Sequence, residues 1–295
     1  MKAIDLSIII VNYNTKDLVS NLIKSFLESD LGKFKVELTV IDNGSKDGSQ
    51  TMFKKSFCNI KYIFNKENLG FSKANNQGIR ISRGKYILLL NSDTLLKKNT
   101  LKNMLHFMKY NKYVAGTCKI ELINGQLDPA CHRGFPTPWA ALTYFSGLEK
   151  IFPKSKIFGQ YHQTWKNLDK VHSVDAISGA FFMIKKEVLD KVGLLDEQFF
   201  MYAEDIDLAY RIKESGYKIG YNPNTKIIHF KKSSGRRKDK GTEITQKDLV
   251  TKQKSNQYFF ETMKLFYDKH YKNKYPKLIR SLVLLGIYLI SRFKD

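Results

Sequence analysis

Four apolar runs, each separated from the next by a helix-like segment, constrain the fold of the first 120 residues. Leu6 to Val11, Val36 to Ile41, Ile60 to Phe64 and Tyr86 to Leu90 read as strands. Helices are expected from Thr15 or Asp17 to about Glu28, from Ser49 to Phe57, and from Phe71 to Ile81. Near-continuous Val, Ile and Leu, without polar alternation, marks strands buried on both faces. Interleaved with helices, such strands make a parallel sheet covered on both sides. Ligands of such sheets bind beyond the carboxyl ends of the strands, and the polar clusters lie there: Asn12-Tyr13-Asn14, Asp42-Asn43-Gly44-Ser45 and Asn91-Ser92-Asp93.

The rest is less regular. Leu127 to Val171 is rich in Pro and aromatic residues and has weak periodicity. From Ala176 to Phe230 the pattern predicts a strand, a short helix, an acidic segment, and strands near Tyr217–Tyr221 and Ile227–Phe230. Lys231 to Gly241 is a basic loop, Glu243 to Tyr271 is helical, and Leu278 to Phe293 is apolar with basic flanks. There is no internal repeat.

A formal net charge of +22 in 295 residues calls for an acidic partner: nucleic acid, an anionic membrane or a phosphorylated substrate. Half of that excess falls between Lys231 and Asp295, which carries 17 basic and 6 acidic residues, so the charge belongs to a basic tail or face. A nucleic-acid-binding protein is the competing class, but no recognition motif accompanies the charge and Asp-rich strand ends repel phosphate. No nucleic acid is therefore expected. Cys58, Cys118 and Cys131 show no CxxC spacing, so neither a disulfide framework nor a zinc site is expected, and a reducing cytosol fits. The N-terminus has no signal-peptide pattern, and no apolar stretch reaches the roughly 18–20 residues that span a bilayer.

Several segments carry candidate chemistry, each with a plain structural alternative. Asp42 closes the second strand before a turn with Gly44 and Gly48, where Asp47 or Ser49 can cap the next helix. A carboxylate there is also placed to accept from the ring N–H of a uracil or thymine. Glu67 to Gly78 joins a Gly70 turn to a helix bearing Asn75 and Asn76. Its exposed N–H groups suit a phosphate, aided by Lys73, unless Gly70 is an ordinary left-handed turn. Asp93, after the fourth strand, is either a hard-cation ligand on a diphosphate or a cap for the helix near Lys98 to Lys109. His229 is a further candidate ligand. Glu204, Asp205 and Asp207 form an acidic trio. At about 100° per residue, Asp205 falls within the apolar arc of Ile206, Leu208, Ala209, Tyr210 and Ile212. Glu204 and Asp207 project to the opposite side with Arg211 and Glu214. An inward Asp205 has a raised pKa and suits a general base. The alternative makes it the helix N-cap.

Together these segments resemble the inverting family-2 glycosyltransferases of the GT-A fold. The resemblance is carried by SIIIVNYN at Ser7–Asn14, DNGSKDGS at Asp42–Ser49, ENLGFSKANNQGI at Glu67–Ile79, LNSDT at Leu90–Thr94, SGAFFMIKKEVLDKVGLLDE at Ser178–Glu197 and FFMYAEDIDLAYRIKESGYKIGY at Phe199–Tyr221. It covers roughly residues 5 to 235 and looks most like the rhamnosyltransferase branch, with Arg133-Gly134-Phe135-Pro136-Thr137 in the acceptor region. It implies an α/β fold of the GT-A, Rossmann-like kind: a mostly parallel central sheet flanked by helices. A catalytic domain over 1–240 would comprise a nucleotide-sugar half to about 120 and an acceptor half beyond, followed by a basic helical region over 241–295.

The resemblance further implies roles. Asn12, Tyr13, Asp42, Asn68, Gly70, Lys73, Asn75, Asn91 and Ser92 would surround the donor nucleotide. Asp93, with His229, would hold a divalent metal, Mg2+ or Mn2+. Asp205 would deprotonate the acceptor hydroxyl, and Arg133 and Glu204 would face the acceptor. Asn91 occupies the first position of the family's Asp-x-Asp pair, a departure that bears on metal affinity. dTDP-rhamnose is the favoured donor, with a UDP-sugar as the other candidate, and the acceptor is a glycan or lipid-linked sugar of cell-surface polysaccharide synthesis.

A nucleotidyltransferase would instead show a Gly-rich basic loop after the first strand, where this chain has Asn12-Tyr13-Asn14-Thr15. The apolar tail Leu278 to Phe293 suits either a headgroup interface or packing on the domain or on a second subunit of a homodimer. A cytoplasmic enzyme, peripheral on the inner face of the cytoplasmic membrane, accommodates the first of these.

Overall fold

The computed structural model describes residues 3–231 and 246–293, so the basic loop expected after Lys231 lies outside the described residues. The first half alternates as expected: β1 (Leu6–Asn12), α1 (Lys16–Leu27), β2 (Val36–Asp42), α2 (Ser49–Ser56), β3 (Lys61–Phe64), α3 (Phe71–Ile81) and β4 (Tyr86–Asn91). These strands pair in parallel in the order β3-β2-β1-β4. β1 is buried at every position and β4 at all but its last residue, which is why neither alternates. The register sets Asn12 beside Asp42 and Val11 beside Asn91, so the polar strand ends share one edge.

The second half is mixed. Its elements are β5 (Thr94–Leu96), α4 (Thr100–Tyr110), β6 (Ala115–Leu122), β7 (His132–Arg133), α5 (Pro138–Phe145), α6 (Leu148–Ile151), β8 (His172–Val174), β9 (Ala176–Ile177), β10 (Phe181–Lys185), α7 (Lys186–Val192), α8 (Glu204–Glu214) and β11 (Ile219–His229). β10 runs antiparallel between β4 and β6. β11 is parallel to β6 and antiparallel to β5 and β8, and the whole makes one nine-stranded sheet. The two strands expected near Tyr217–Tyr221 and Ile227–Phe230 are the single strand β11, whose register shifts between Asn222 and Lys226. Pro223 lies inside that shift and has no N–H for the ladder. Two long helices close the chain, α9 (Gln246–His270) and α10 (Lys277–Phe293). α9 buries Phe266, Tyr267 and Tyr271, and the Phe266 and Tyr271 rings meet the ring of Tyr210 on α8 edge-on.

α3 lies on β1 and β2 through Gly78, because a Cβ there would stand 2.6 Å from Ile9 Cγ2 and 2.9 Å from Ile41 Cδ1. Overpacking of this kind costs about 1–3 kcal/mol. Gly78→Val is expected to lower the urea unfolding midpoint by the equivalent of at least about 2 kcal/mol at unchanged slope; a wild-type midpoint would show that α3 can move off the sheet.

Candidate active site

Beyond the carboxyl ends of β1 and β4 opens a cavity of about 560 Å3. Its lining includes Tyr13, Thr15, Asn43, Asn68, Asn91, Ser92 and Asp93 from the first half and Arg133, Gly179, Glu204 and Asp205 from the second. Of the expected site residues, Tyr13, Asn68, Asn91, Ser92, Asp93, Arg133, Glu204, Asp205 and His229 line this cavity, while Asn12, Asp42, Gly70, Lys73 and Asn75 lie off its wall.

Four of these five, Asn12, Asp42, Gly70 and Asn75, build the frame instead. Asp42 is fully buried and accepts from Asn12 Nδ2 at 2.8 Å, Ser45 N at 3.0 Å and Gln50 Nε2 at 2.8 Å. Its carboxylate orders the turn at the end of β2. Asn43, not singled out in the sequence, does line the cavity and holds Asn68 at 2.8 Å. The start of α3 is partly occupied. Its first N–H, on Phe71, donates to the Phe200 carbonyl at 2.7 Å, and the Ser72 hydroxyl donates to the Phe199 carbonyl. Gly70, at φ +88°, leaves room for Phe200, whose ring would meet a Cβ at 2.7 Å. Asn75 bonds its own helix at Phe71 O, Asn76 clamps the Leu195 backbone and Glu197, and Lys73 is exposed.

The β5–β11 register pairs His229 with Thr94 and so brings His229 beside Asp93. His229 Nε2 lies 3.2 Å from Asp93 Oδ1, and Nδ1 lies 2.7 Å from Asp128 Oδ2. Lys231 also reaches Asp128 at 2.8 Å. Burial opposes a charge on His229, but its hydrogen bonds to Asp128 and Asp93 prevail and push it up to about 9. Asp93 does not cap α4, which starts behind Asn99. Among the described residues no cluster of three His, Cys, Asp or Glu suits a metal. A cation would have to be held by a smaller, mixed set: the Asp93 carboxylate, the His229 imidazole once neutral, and Asn91 Oδ1, a buried acceptor with no hydrogen-bond partner among the described residues. Asp128 would then orient His229 from behind.

The acidic trio departs from the wheel. α8 begins behind Ala203, which with Tyr202 adopts a left-handed backbone, φ +65° and +71°. Such non-glycine corners cost roughly 1–3 kcal/mol each and persist where the surroundings hold them. Here Tyr202 Oη bonds Ser255 Oγ on α9 at 2.7 Å. Asp205 is inside the helix and is not its N-cap. Its Oδ2 receives Arg133 Nη2 at 2.9 Å and Gly179 N at 3.1 Å, and Oδ1 receives Ile206 N at 2.7 Å. Glu204 and Asp207, expected outward, are both buried at 7% and 0% exposure, because α9 and the β7 region cover the face that the wheel assigns to solvent. The raised carboxyl is therefore Glu204. Burial first, then the Asp205 charge, pushes it up to about 8, and its Oε2 is buried without a partner. Asp207 holds the helices together through Arg211 Nε at 2.9 Å, Lys269 Nζ at 2.7 Å and His270 Nε2 at 2.7 Å.

Residues the sequence left unassigned complete the cavity. Pro136, Pro138, Ala141, Tyr144 and Phe145 come from the aperiodic middle segment, and Phe259, Met263, Phe266, Val283 and Ile287 come from α9 and α10. The Pro and aromatic content of residues 127–171 was the local signal for the first group. The second group is made by docking, and no local signal marks it.

A parallel nucleotide-type half joined to a mixed half, with a cavity at the strand ends, defines an α/β transferase of the GT-A fold. The crystal structure of S. aureus TarS 1–349 matches it with a TM-score of 0.58 at 16% identity over 99% of this chain and 72% of that one. GalNAc-T7 with UDP, GalNAc and Mn2+ matches it with a TM-score of 0.58 at 16% identity over 87% and 48%. The chain belongs to glycosyltransferase family 2: the model described as "Glycosyl transferase family 2" matches residues 7–193. A hexosyltransferase of low-salt glycan biosynthesis from Haloferax volcanii, Agl10, is 31% identical over 229 residues, 76% of this chain and 67% of its own length. The rhamnosyltransferase WbbL of Escherichia coli K12 is 26% identical over 237 residues, 76% of this chain and 82% of its own.

Burial alone would raise the Asp207 pKa; the His270 hydrogen bond and the Arg211 and Lys269 charges bring it down to about 2. Its stabilisation is thus complete above the unfolded value of 3.8 and is lost as pH falls toward 2. Asp207→Ala is expected to cost about 3 kcal/mol at pH 7, the low end for a broken buried pair because Lys269 and Arg211 can rehydrate. The difference from wild type should shrink below pH 4 in urea titrations; an unchanged difference at pH 3 and pH 7 would contradict the ion-pair account.

Proposed function

We propose that this family-2 transferase is an inverting enzyme. It moves a sugar, rhamnose first among the candidates, from a nucleotide diphosphate donor to a hydroxyl of a glycan or lipid-linked sugar in cell-surface polysaccharide synthesis. The observation that carries this reading is Asp205, a carboxylate that lines the same cavity as the Asp93–His229 pair. Asp205 takes the acceptor hydroxyl proton as that oxygen bonds the anomeric carbon and the bond to the diphosphate oxygen breaks, inverting the carbon. A single carboxylate at the sugar suffices, unlike the pair of glycoside hydrolysis. Arg133 and Gly179 N hold Asp205 in place. Mg2+ or Mn2+ held by Asp93, His229 and Asn91 would neutralise the leaving diphosphate. Similarity to a glycan-biosynthesis hexosyltransferase and to a rhamnosyltransferase supports dTDP-rhamnose as donor, with UDP-sugars as the alternative. The catalytic unit spans 1–240, and the helices of 241–295 form its cover.

An acceptor with a hydrocarbon tail fits the apolar side of the cavity, between α5 and the two last helices. α10 supports a membrane approach. Val283 and Ile287 face the cavity, whereas Leu278, Leu282, Leu285 and Leu289 are exposed. These four recur at helical spacing, the helix holds no acidic residue, and Lys277, Arg280 and Arg292 belong to it. No helix of the described residues is long and apolar enough to cross a membrane, so contact would be interfacial.

Asp205→Asn is expected to abolish transfer in a nucleoside-diphosphate release assay while nucleotide-sugar affinity stays within about 3-fold; wild-type-like turnover removes Asp205 as base. Asp93→Ala should erase the metal-dependent part of donor binding in a thermal-shift screen of dTDP-rhamnose, UDP-sugars and GDP-sugars, and an unchanged metal response rejects the cation site. The wild type should float with phosphatidylglycerol vesicles and the Leu282→Asp/Leu285→Asp variant should not. Equal flotation of the two rejects the membrane face, and a dimer-to-monomer change on size exclusion assigns the stripe to a second copy.

A further inference from the structure

Glu204 and Asp205 are adjacent on α8, and both line the cavity, yet their surroundings differ. Asp205 has three donors on its oxygens: Arg133 Nη2, Gly179 N and Ile206 N. Glu204 is more than nine-tenths buried, and its Oε2 meets no donor among the described residues. A buried carboxylate without a partner costs several kcal/mol, so such a group takes up a proton. A protonated carboxyl is a hydrogen-bond donor and needs an acceptor. The ionisable groups that act on Glu204 are Asp205 and Asp207 on its own helix, which favour the proton, and Arg133 of β7, which opposes it. With burial, the balance favours the neutral form up to about pH 8. Two neighbouring carboxyls with environments this different divide the acid and base roles between them.

We infer that Glu204 works as a neutral carboxylic acid that donates a hydrogen bond to a hydroxyl oxygen of a sugar bound in the cavity, while Asp205 alone takes up a proton. No proton leaves Glu204 in the cycle; it orients the sugar by one O–H···O bond. The inference rests on Asp205 as the base. It requires activity to fail when Glu204 ionises, since the anion can only accept and stands beside a second carboxylate.

The protein alone gives the first test. With glutamate labelled at Cδ, carbon NMR should reveal one carboxyl titrating near pH 8 that disappears in Glu204→Gln; if the signal lost in that variant titrates below pH 5, the inference fails. The second test follows nucleoside-diphosphate release from dTDP-rhamnose, with octyl N-acetyl-β-D-glucosaminide as acceptor, from pH 6 to 10. Wild-type kcat/KM should fall above about pH 8. Glu204→Gln, which still donates, should keep activity within about 10-fold of wild type at pH 7 and lose that alkaline limb. Glu204→Leu, which cannot donate, should lose about 100-fold, with folding checked by thermal melting and by affinity for the nucleoside diphosphate alone. A persisting alkaline limb in Glu204→Gln, or near wild-type rates in a folded Glu204→Leu, overturns the role. In Glu204→Leu, weakened nucleotide-sugar binding with unchanged nucleoside-diphosphate binding places the bond on the donor sugar; unchanged donor binding with a raised acceptor KM places it on the acceptor. Full activity in Asp205→Asn removes the base, and this inference with it. An inactive Asp205→Asn beside an unaltered Glu204→Gln pH profile sinks this inference alone.

Discussion

β10 is reversed between β4 and β6, and the architecture of the site depends on that one antiparallel seam. Phe181 pairs with Leu90, so the turn at Ser178–Ala180 is pressed against the end of β4, where Asn91 N reaches the Ala180 carbonyl at 3.4 Å. Gly179 is thereby fixed as a donor to Asp205. A parallel strand in that place would carry its preceding turn to the opposite edge, away from the cavity. The seam joins a nucleotide-type half to a half whose cavity residues come from several different segments.

Around that seam the carboxylates are sorted by their partners rather than by their positions in the sequence. Asp42 is surrounded by donors and shapes a turn. Asp207 is surrounded by cations and fastens α9 to α8. Asp128 stands behind His229, which in turn leans on Asp93. Asp93, Asp128, Glu204 and Asp205 belong to residues that line the cavity, whereas Asp42 and Asp207 do not. The strained corner at Tyr202–Ala203 is what turns α8 so that two successive carboxyls face the same space, and α9 holds it through Ser255.

The last two helices therefore belong to the site. They close its apolar side with Phe259, Met263 and Ile287 while α10 turns a leucine stripe outward. The family match covers residues 7–193, so the acidic segment and both closing helices follow it in the chain.

Much of this was legible along the chain. Unbroken Ile, Val and Leu runs specify strands buried on both faces, and α3 falls at Phe71–Ile81 as its pattern requires, since periodicity is local. The polar residues at strand ends were legible for the same reason, and Tyr13, Asn91, Asp93 and Asp205 do reach the cavity. What a strand end cannot reveal is which way each side chain turns: Asp42 and Asn12 satisfy each other behind the wall. Nor can a wheel know that a second helix will cover its polar face, which made Glu204 and Asp207 buried groups of opposite character, one without a partner and one with three. The sequence by itself determined the strands, the helices and the edge at which chemistry gathers, because those follow from side-chain spacing. The tertiary structure alone decided which carboxylates are buried, paired or open to the cavity, because many of their partners lie far off in the chain: Asp207 and His270 are 63 residues apart, Arg133 and Asp205 72, and Asp128 and His229 101.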